Sequence, residues 1–89
     1  MNNPEEMKDE LQSQVIEILS GMLGLEEKHI QLESALIDDL GLTSMQASEL
    51  ILILEEEFAV KISEVEAESI VTLGELVNWI YEKNDELYT

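Results

Sequence analysis

Apolar residues recur early in the chain at Met7, Leu11, Val15, Ile18, Leu19 and Met22. Steps of three and four place them on one face of a helix. Asn3-Pro4-Glu5-Glu6 stands in front of that pattern. It offers a capping amide, a proline suited to the first helical position and a glutamate that can reach back to the cap. Gly21 and Gly24 are both expected to end the helix, because glycine readily takes the left-handed conformation of a helix terminus. Residues 25–42 then show no sustained period and predict the longest connection. Such a loop needs apolar pegs in a compact domain, and Ile30, Leu32, Leu36 and Leu40 are the candidates.

Three further capping patterns follow, each a hydroxyl residue with Gln or Glu three positions later. Thr43-Ser44-Met45-Gln46 opens a second helix with Ala47, Leu50, Ile51, Leu54 and Phe58 along one face. Ser63-Glu64-Val65-Glu66 opens a segment with room for only about two turns before Ile70. Thr72-Leu73-Gly74-Glu75 opens the last helix, with Leu73, Leu76, Val77 and Ile80 inward. The stretch VKISEV is too short and too close to a cap to compete as a strand. The pattern predicts an all-α fold: a small four-helix bundle of three main helices and one short one, with a long loop between helices 1 and 2. One domain spans residues 1–89, with residues 1–3 and 85–89 expected to fray.

Composition narrows what such a bundle does. A chain of 89 residues, 45% of them apolar, supports one modest core. No apolar run approaches the ~18–20 residues of a membrane span, and MNNPEEMKDE lacks the features of a signal peptide. There is no cysteine, hence no disulfide frame and no thiolate chemistry, and a cytoplasmic setting is expected. Twenty-one acidic residues against four basic ones give a formal charge of −17. That charge repels nucleic acid and anionic lipid, and directs the chain toward electropositive proteins or loosely held cations. Acidity also serves plain solubility.

The stretch DDLGLTSMQASEL, residues 38–50, places a serine where no histidine or cysteine is near to act as its base. With Thr43 as the cap, Ser44 falls in the first turn, beside free backbone N–H groups and the positive end of the helix dipole. A phosphate is stable there. Gly41 permits a tight approach turn, and Met45 and Leu52 form an apolar stripe that the inward face does not need. On its own, a serine at a helix start is most often nothing more.

The string DDLGLTSMQASELILILEEEF resembles the attachment region of acyl carrier proteins, usually D-D-L-G-x-D-S-L followed by a helix ending in E-E-E-F. Leu23-Gly24, Ile62, Ala67-Glu68, Ile70 and Thr72 also fall where that family has similar residues, without a gap from about residue 7 to residue 82. The resemblance implies a stand-alone carrier, itself no enzyme. Ser44 would receive a 4′-phosphopantetheine arm from coenzyme A by the action of a separate phosphopantetheinyl transferase. The arm's thiol would hold acyl groups as thioesters. It would deliver them to acyl transferases, ketosynthases or other enzymes of fatty acid, polyketide or related specialised acyl biosynthesis. A monomer is implied.

The departures are specific. Thr43 stands where the family usually has aspartate, Met45 for leucine, Gln46 for an acid and Ser63 for a frequent proline. Together they point toward a specialised carrier. The aryl and peptidyl carriers fit less well, since their L-G-G-[HD]-S core is absent.

Residues 38–68 hold nine acidic side chains against Lys61, a local net of −8. Asp38, Asp39, Met45, Glu49, Leu52, Glu55 and Glu56 are the candidate partner-binding residues, apolar spots framed by carboxylates. A bundle able to open would shelter cargo beside Leu50, Ile51, Leu54 and Ile70, with the 25–42 loop as the movable wall. His29 has no second ligand nearby, and Asp38-Asp39 lacks the D-x-[DN]-x-[DN]-G calcium loop, so no metal is expected. Trp79 and Tyr81 are read as core or partly covered surface. The other reading is an unmodified acidic helical adaptor that docks basic proteins.

Overall fold

The computed structural model of the chain describes residues 4–88. Helix α1 covers Pro4–Leu23, a single 3-10 turn covers Glu27–His29, and α2, α3 and α4 cover Ser44–Phe58, Glu64–Ser69 and Leu73–Tyr88. Among the described residues the only strand-like pairing is an isolated antiparallel bridge between Ala35 and Thr72. The fold is a small all-α bundle of four helices, as the periodicity predicts. The Asn3 cap and the fraying expected at residues 1–3 and 89 lie outside the described residues, whereas α4 continues through residues 85–88, where fraying is also expected.

One core runs through the molecule. Leu11, Val15 and Leu19 enter it from α1, Leu50 and Leu54 from α2, and Leu73, Leu76, Val77 and Ile80 from α4. Ile30, Leu36 and Leu42 close it from the long loop. Helix α3 contributes no fully buried residue. It is a lid on the bundle rather than a pillar of it, and its placement depends on its ends and on polar contacts.

Two expectations of the fold do not hold, Gly21 as a helix end and Leu32 as a peg. Gly21 does not end α1; the helix continues to Leu23, and Gly24 alone closes it at φ +69°, its N–H donating to the Ser20 carbonyl at 2.9 Å. Met7 shares the apolar face yet stays 44% exposed, because periodicity marks a face without saying how far along it neighbours reach. Leu32 is not a peg: its side chain is 38% exposed, and it is the Leu32 carbonyl that anchors, accepting the Gly74 N–H at 2.9 Å. A Cβ at position 74 would lie 3.2 Å from that carbonyl oxygen, so glycine permits the close approach. Two more backbone bonds tie the loop to the start of α4, Leu73 N–H to the Ser34 carbonyl at 3.0 Å and Leu36 N–H to the Val71 carbonyl at 2.9 Å. Leu42, unassigned from sequence, is the buried peg nearest α2.

Candidate functional site

The turn before α2 is built like the end of a helix. The Leu42 N–H donates to the Leu36 carbonyl at 3.2 Å and the Gly41 N–H to the Ile37 carbonyl at 3.0 Å, with Gly41 at φ +76°. The second of these is the 5→1 bond of an αL turn, and it needs a residue tolerant of positive φ at position 41. The Asp39 carboxylate secures the turn by accepting the Ala35 N–H at 2.7 Å. The chain then drives Leu42 into the core and emerges at Thr43. Leu42 and Ala47 occupy the two staple positions that flank a helix start, and both line one apolar cavity.

Thr43 caps α2 as expected. Its hydroxyl accepts the Gln46 N–H at 3.1 Å, and the Gln46 side-chain oxygen accepts the Thr43 N–H at 3.0 Å, a complete capping box. Ser44 and Met45 then hold first-turn N–H groups with no intrahelical acceptor. The Ser44 side chain is exposed. An exposed hydroxyl beside open N–H groups fits a phosphodiester: the oxygen is reachable, and the helix end favours the anion. Glutamine rather than glutamate in the capping box keeps a formal negative charge off that spot.

Below Ser44, one turn along α2, a groove of about 470 Å³ opens between α2 and α3. Ser48, Ile51 and Leu52 form one wall, and Ser63, Glu64, Ala67 and Glu68 the other. Behind it lies a smaller apolar cavity of about 80 Å³, reaching Leu36, Leu42, Leu50, Ile70 and Leu76. Ile51 and Ala67 line both spaces. Leu54 is fully buried deeper in the core and is not among the residues that line this cavity.

The candidate docking residues divide. Met45 and Leu52 are 73% and 61% exposed, and Asp38, Glu49 and Glu56 are exposed around them. Asp39 is exposed but carries the turn bond already described. Glu55 is half-buried, and its carboxylate accepts the Ile62 N–H at 3.0 Å. That bond spans the turn after α2, where Ala59 takes the left-handed region at φ 53°. Asp39 and Glu55 therefore shape loops, a role invisible in an acidic tally.

Sequence reasoning also missed the polar seam between α3 and α4. Ser63 and Glu66 form the expected capping box of α3, at 3.1 and 3.3 Å. Glu66 additionally accepts the Trp79 indole N–H at 2.8 Å and pairs with Lys83 at 3.6 Å. The indole bond above all, then the Ser63 N–H and hydroxyl and the Lys83 charge, hold the Glu66 carboxyl below its usual range against a smaller desolvation effect. Glu75, reaching back to the Thr72 and Val71 N–H groups at the start of α4, is lowered likewise. Among the described residues, no three His, Cys, Asp or Glu side chains gather as a metal site, and no helix is long and apolar enough to cross a membrane.

The family model described as the phosphopantetheine attachment site matches residues 13–80. The chain belongs to the acyl carrier protein family. It is 40% identical over 72 residues to an acyl carrier protein of Clostridium acetobutylicum, covering 81% of this chain and 94% of that one. It is 38% identical over 76 residues to an acyl carrier protein of Thermotoga maritima, covering 85% and 94%. Acyl carrier proteins are non-catalytic carriers modified with phosphopantetheine. A reactive thiol that arrives with the cofactor accounts for a carrier without a cysteine.

Proposed function

We propose that this acyl carrier protein bears its arm on Ser44 and carries acyl groups on it for enzymes of fatty acid, polyketide or related specialised acyl biosynthesis. The observation that carries the assignment is the exposed Ser44 hydroxyl, one residue past the Thr43 cap and at the head of the α2–α3 groove. The bound arm supplies a terminal thiol, which holds the acyl group as a thioester. The chain's own residues do the rest. Thr43 and Gln46 hold the helix start, Ser44 offers the oxygen, and Ser48, Ile51 and Ala67 line the way from it toward the inner cavity. A short acyl chain beside Leu50 and Ile70 is shielded from water at a gain of ~0.8 kcal/mol per buried methylene.

Partners with basic docking faces, the transferase first among them, meet Met45 and Leu52 within the frame of Asp38, Glu49 and Glu56. Asp39 and Glu55 contribute charge there while holding their loops. The same reading carries a monomer working in the cytoplasm.

Intact mass after incubation with coenzyme A and a broad-specificity phosphopantetheinyl transferase tests the assignment. The wild type should gain one phosphopantetheinyl group and Ser44→Ala none. A wild type that stays unmodified returns the chain to the reading as an acidic adaptor.

A further inference from the structure

Helix α3 covers the inner cavity, yet it has six residues and none of them is fully buried. Its ends are held, by buried Ile62 before it and by the Val71 carbonyl bonded to Leu36 after it. Between those ends the side-chain bonds that reach another helix converge on Glu66. One carboxylate oxygen of Glu66 takes the Ser63 N–H, and the other takes the Trp79 indole N–H at 2.8 Å with Lys83 at 3.6 Å. The Lys83 ammonium also lies 5.4 Å from the centroid of the Trp79 ring, so charge, indole and carboxylate adjoin one another. The next residue along α3, Ala67, is the one that stands between the outer groove and the inner cavity together with Ile51.

The two spaces differ greatly in size, about 470 Å³ outside and about 80 Å³ inside. At ~30 Å³ for each water-sized group, the inner cavity takes roughly three such groups. Ala67 and Ile70 wall this cavity from the side of α3, so an opening that moves the helix also moves Glu66.

We propose that Glu66 and Trp79 form a clamp between α3 and α4 that sets the length of acyl chain this carrier shelters. With the clamp closed, chains of about three carbons beyond the thioester carbonyl lie inside and longer ones stay in the outer groove, exposed to partner enzymes. Both are positioning residues, acting on cargo through α3. The cargo half of the proposal rests on Ser44 bearing the arm; the mechanical half does not.

The test therefore begins with the unmodified chain. Trp79→Phe keeps an aromatic ring at the position and removes the indole N–H; Glu66→Gln removes the charge and leaves one carbonyl oxygen for the Ser63 and Trp79 N–H groups and Lys83. Amide hydrogen exchange at Ala67 and Ile70, relative to Val15 and Ile80, should rise about tenfold or more in Trp79→Phe and also rise in Glu66→Gln. Equal exchange in all three proteins overturns the clamp. So does a rise shared by Val15 and Ile80, which reports general loosening. The modified wild type and Trp79→Phe are then loaded with butyryl or decanoyl groups. Butyryl should shift the Ile51 and Ile70 amides in both proteins, and decanoyl only in Trp79→Phe. Decanoyl entering the wild type as fully as the variant overturns the length limit. Failure of Ser44 to take the arm shows in the mass spectrum, and it removes the cargo half while the exchange data still decide the clamp.

Discussion

Replacing Thr43 with alanine removes the hydroxyl that accepts the Gln46 N–H at 3.1 Å and leaves the reciprocal bond, from the Thr43 N–H to the Gln46 side chain, in place. Loss of such a cap costs ~1 kcal/mol, within a range of ~0.5–2. For a domain of this size that lowers the melting temperature by about 4–8 °C. Ser44, one residue on, is exposed and has no capping bond, so Ser44→Ala should stay within ~0.5 kcal/mol of wild type. The two adjacent alanines thus separate stability from modification. Thermal melts followed by circular dichroism, at neutral pH and fixed salt, measure the first; uptake of the phosphopantetheinyl group measures the second. Thr43→Ala should melt early and still take the arm, whereas Ser44→Ala should melt normally and take none. A Ser44→Ala protein destabilised as much as Thr43→Ala would show that Ser44 holds the helix start, and the division of labour at this turn would be wrong.

The remaining predictions concern charge and cargo. A formal charge of −17, with nine carboxylates against Lys61 between residues 38 and 68, is screened by salt over ~8–10 Å, so added monovalent salt should raise the melting temperature and millimolar Mg²⁺ should raise it further; indifference to both would mean the charges are too dispersed to matter. Glu75 is held below its ordinary 4.5 by the Thr72 and Val71 N–H groups, so the unfolded chain binds more protons near that pH. Its contribution is complete above about pH 4.5 and fades below it, and the stability gap between wild type and Glu75→Gln should shrink on acidification through that window; a gap that widens there contradicts the sign. With a short acyl group on the arm, the amides of Leu50, Ile51 and Ile70 around the inner cavity should shift beyond the change caused by the unloaded arm; shifts confined to residues 42–46 would mean that cargo is displayed outside.

Much of this was legible because it is local. The three hydroxyl caps at Thr43, Ser63 and Thr72 each bond to the residue three positions on, a relation contained in four letters of sequence. The inward faces of α2 and α4 follow from a period that neighbouring turns enforce. Placing Ser44 past the cap followed from Thr43, and the geometry agrees. Leu32 and Leu42 show where that reach stops. Both are leucines in an aperiodic loop, and what distinguishes them is the Gly74 N–H on the Leu32 carbonyl and the turn at Gly41 that swings Leu42 inward. Glu55 and Asp39 read alike as surface charge, and Glu66 as the closing residue of a capping box only. Their partners Ile62, Ala35 and Trp79 are chosen by the packed fold, and Glu66 and Trp79 meet across thirteen positions. Gly21 and Gly24 differ for a similar reason: glycine permits a helix end without compelling one.

The account turns on which oxygen bears the arm, and the chain offers seven serines: Ser13, Ser20, Ser34, Ser44, Ser48, Ser63 and Ser69. Ser48 lines the groove and Ser63 begins a helix of its own, so each is a fair rival on proximity or on helix position. Peptide mapping by tandem mass spectrometry of the modified wild-type chain decides among them. A phosphopantetheinyl group found on the fragment ion of Ser44 alone is the predicted result; the group on Ser48, Ser63 or Thr43 would contradict it.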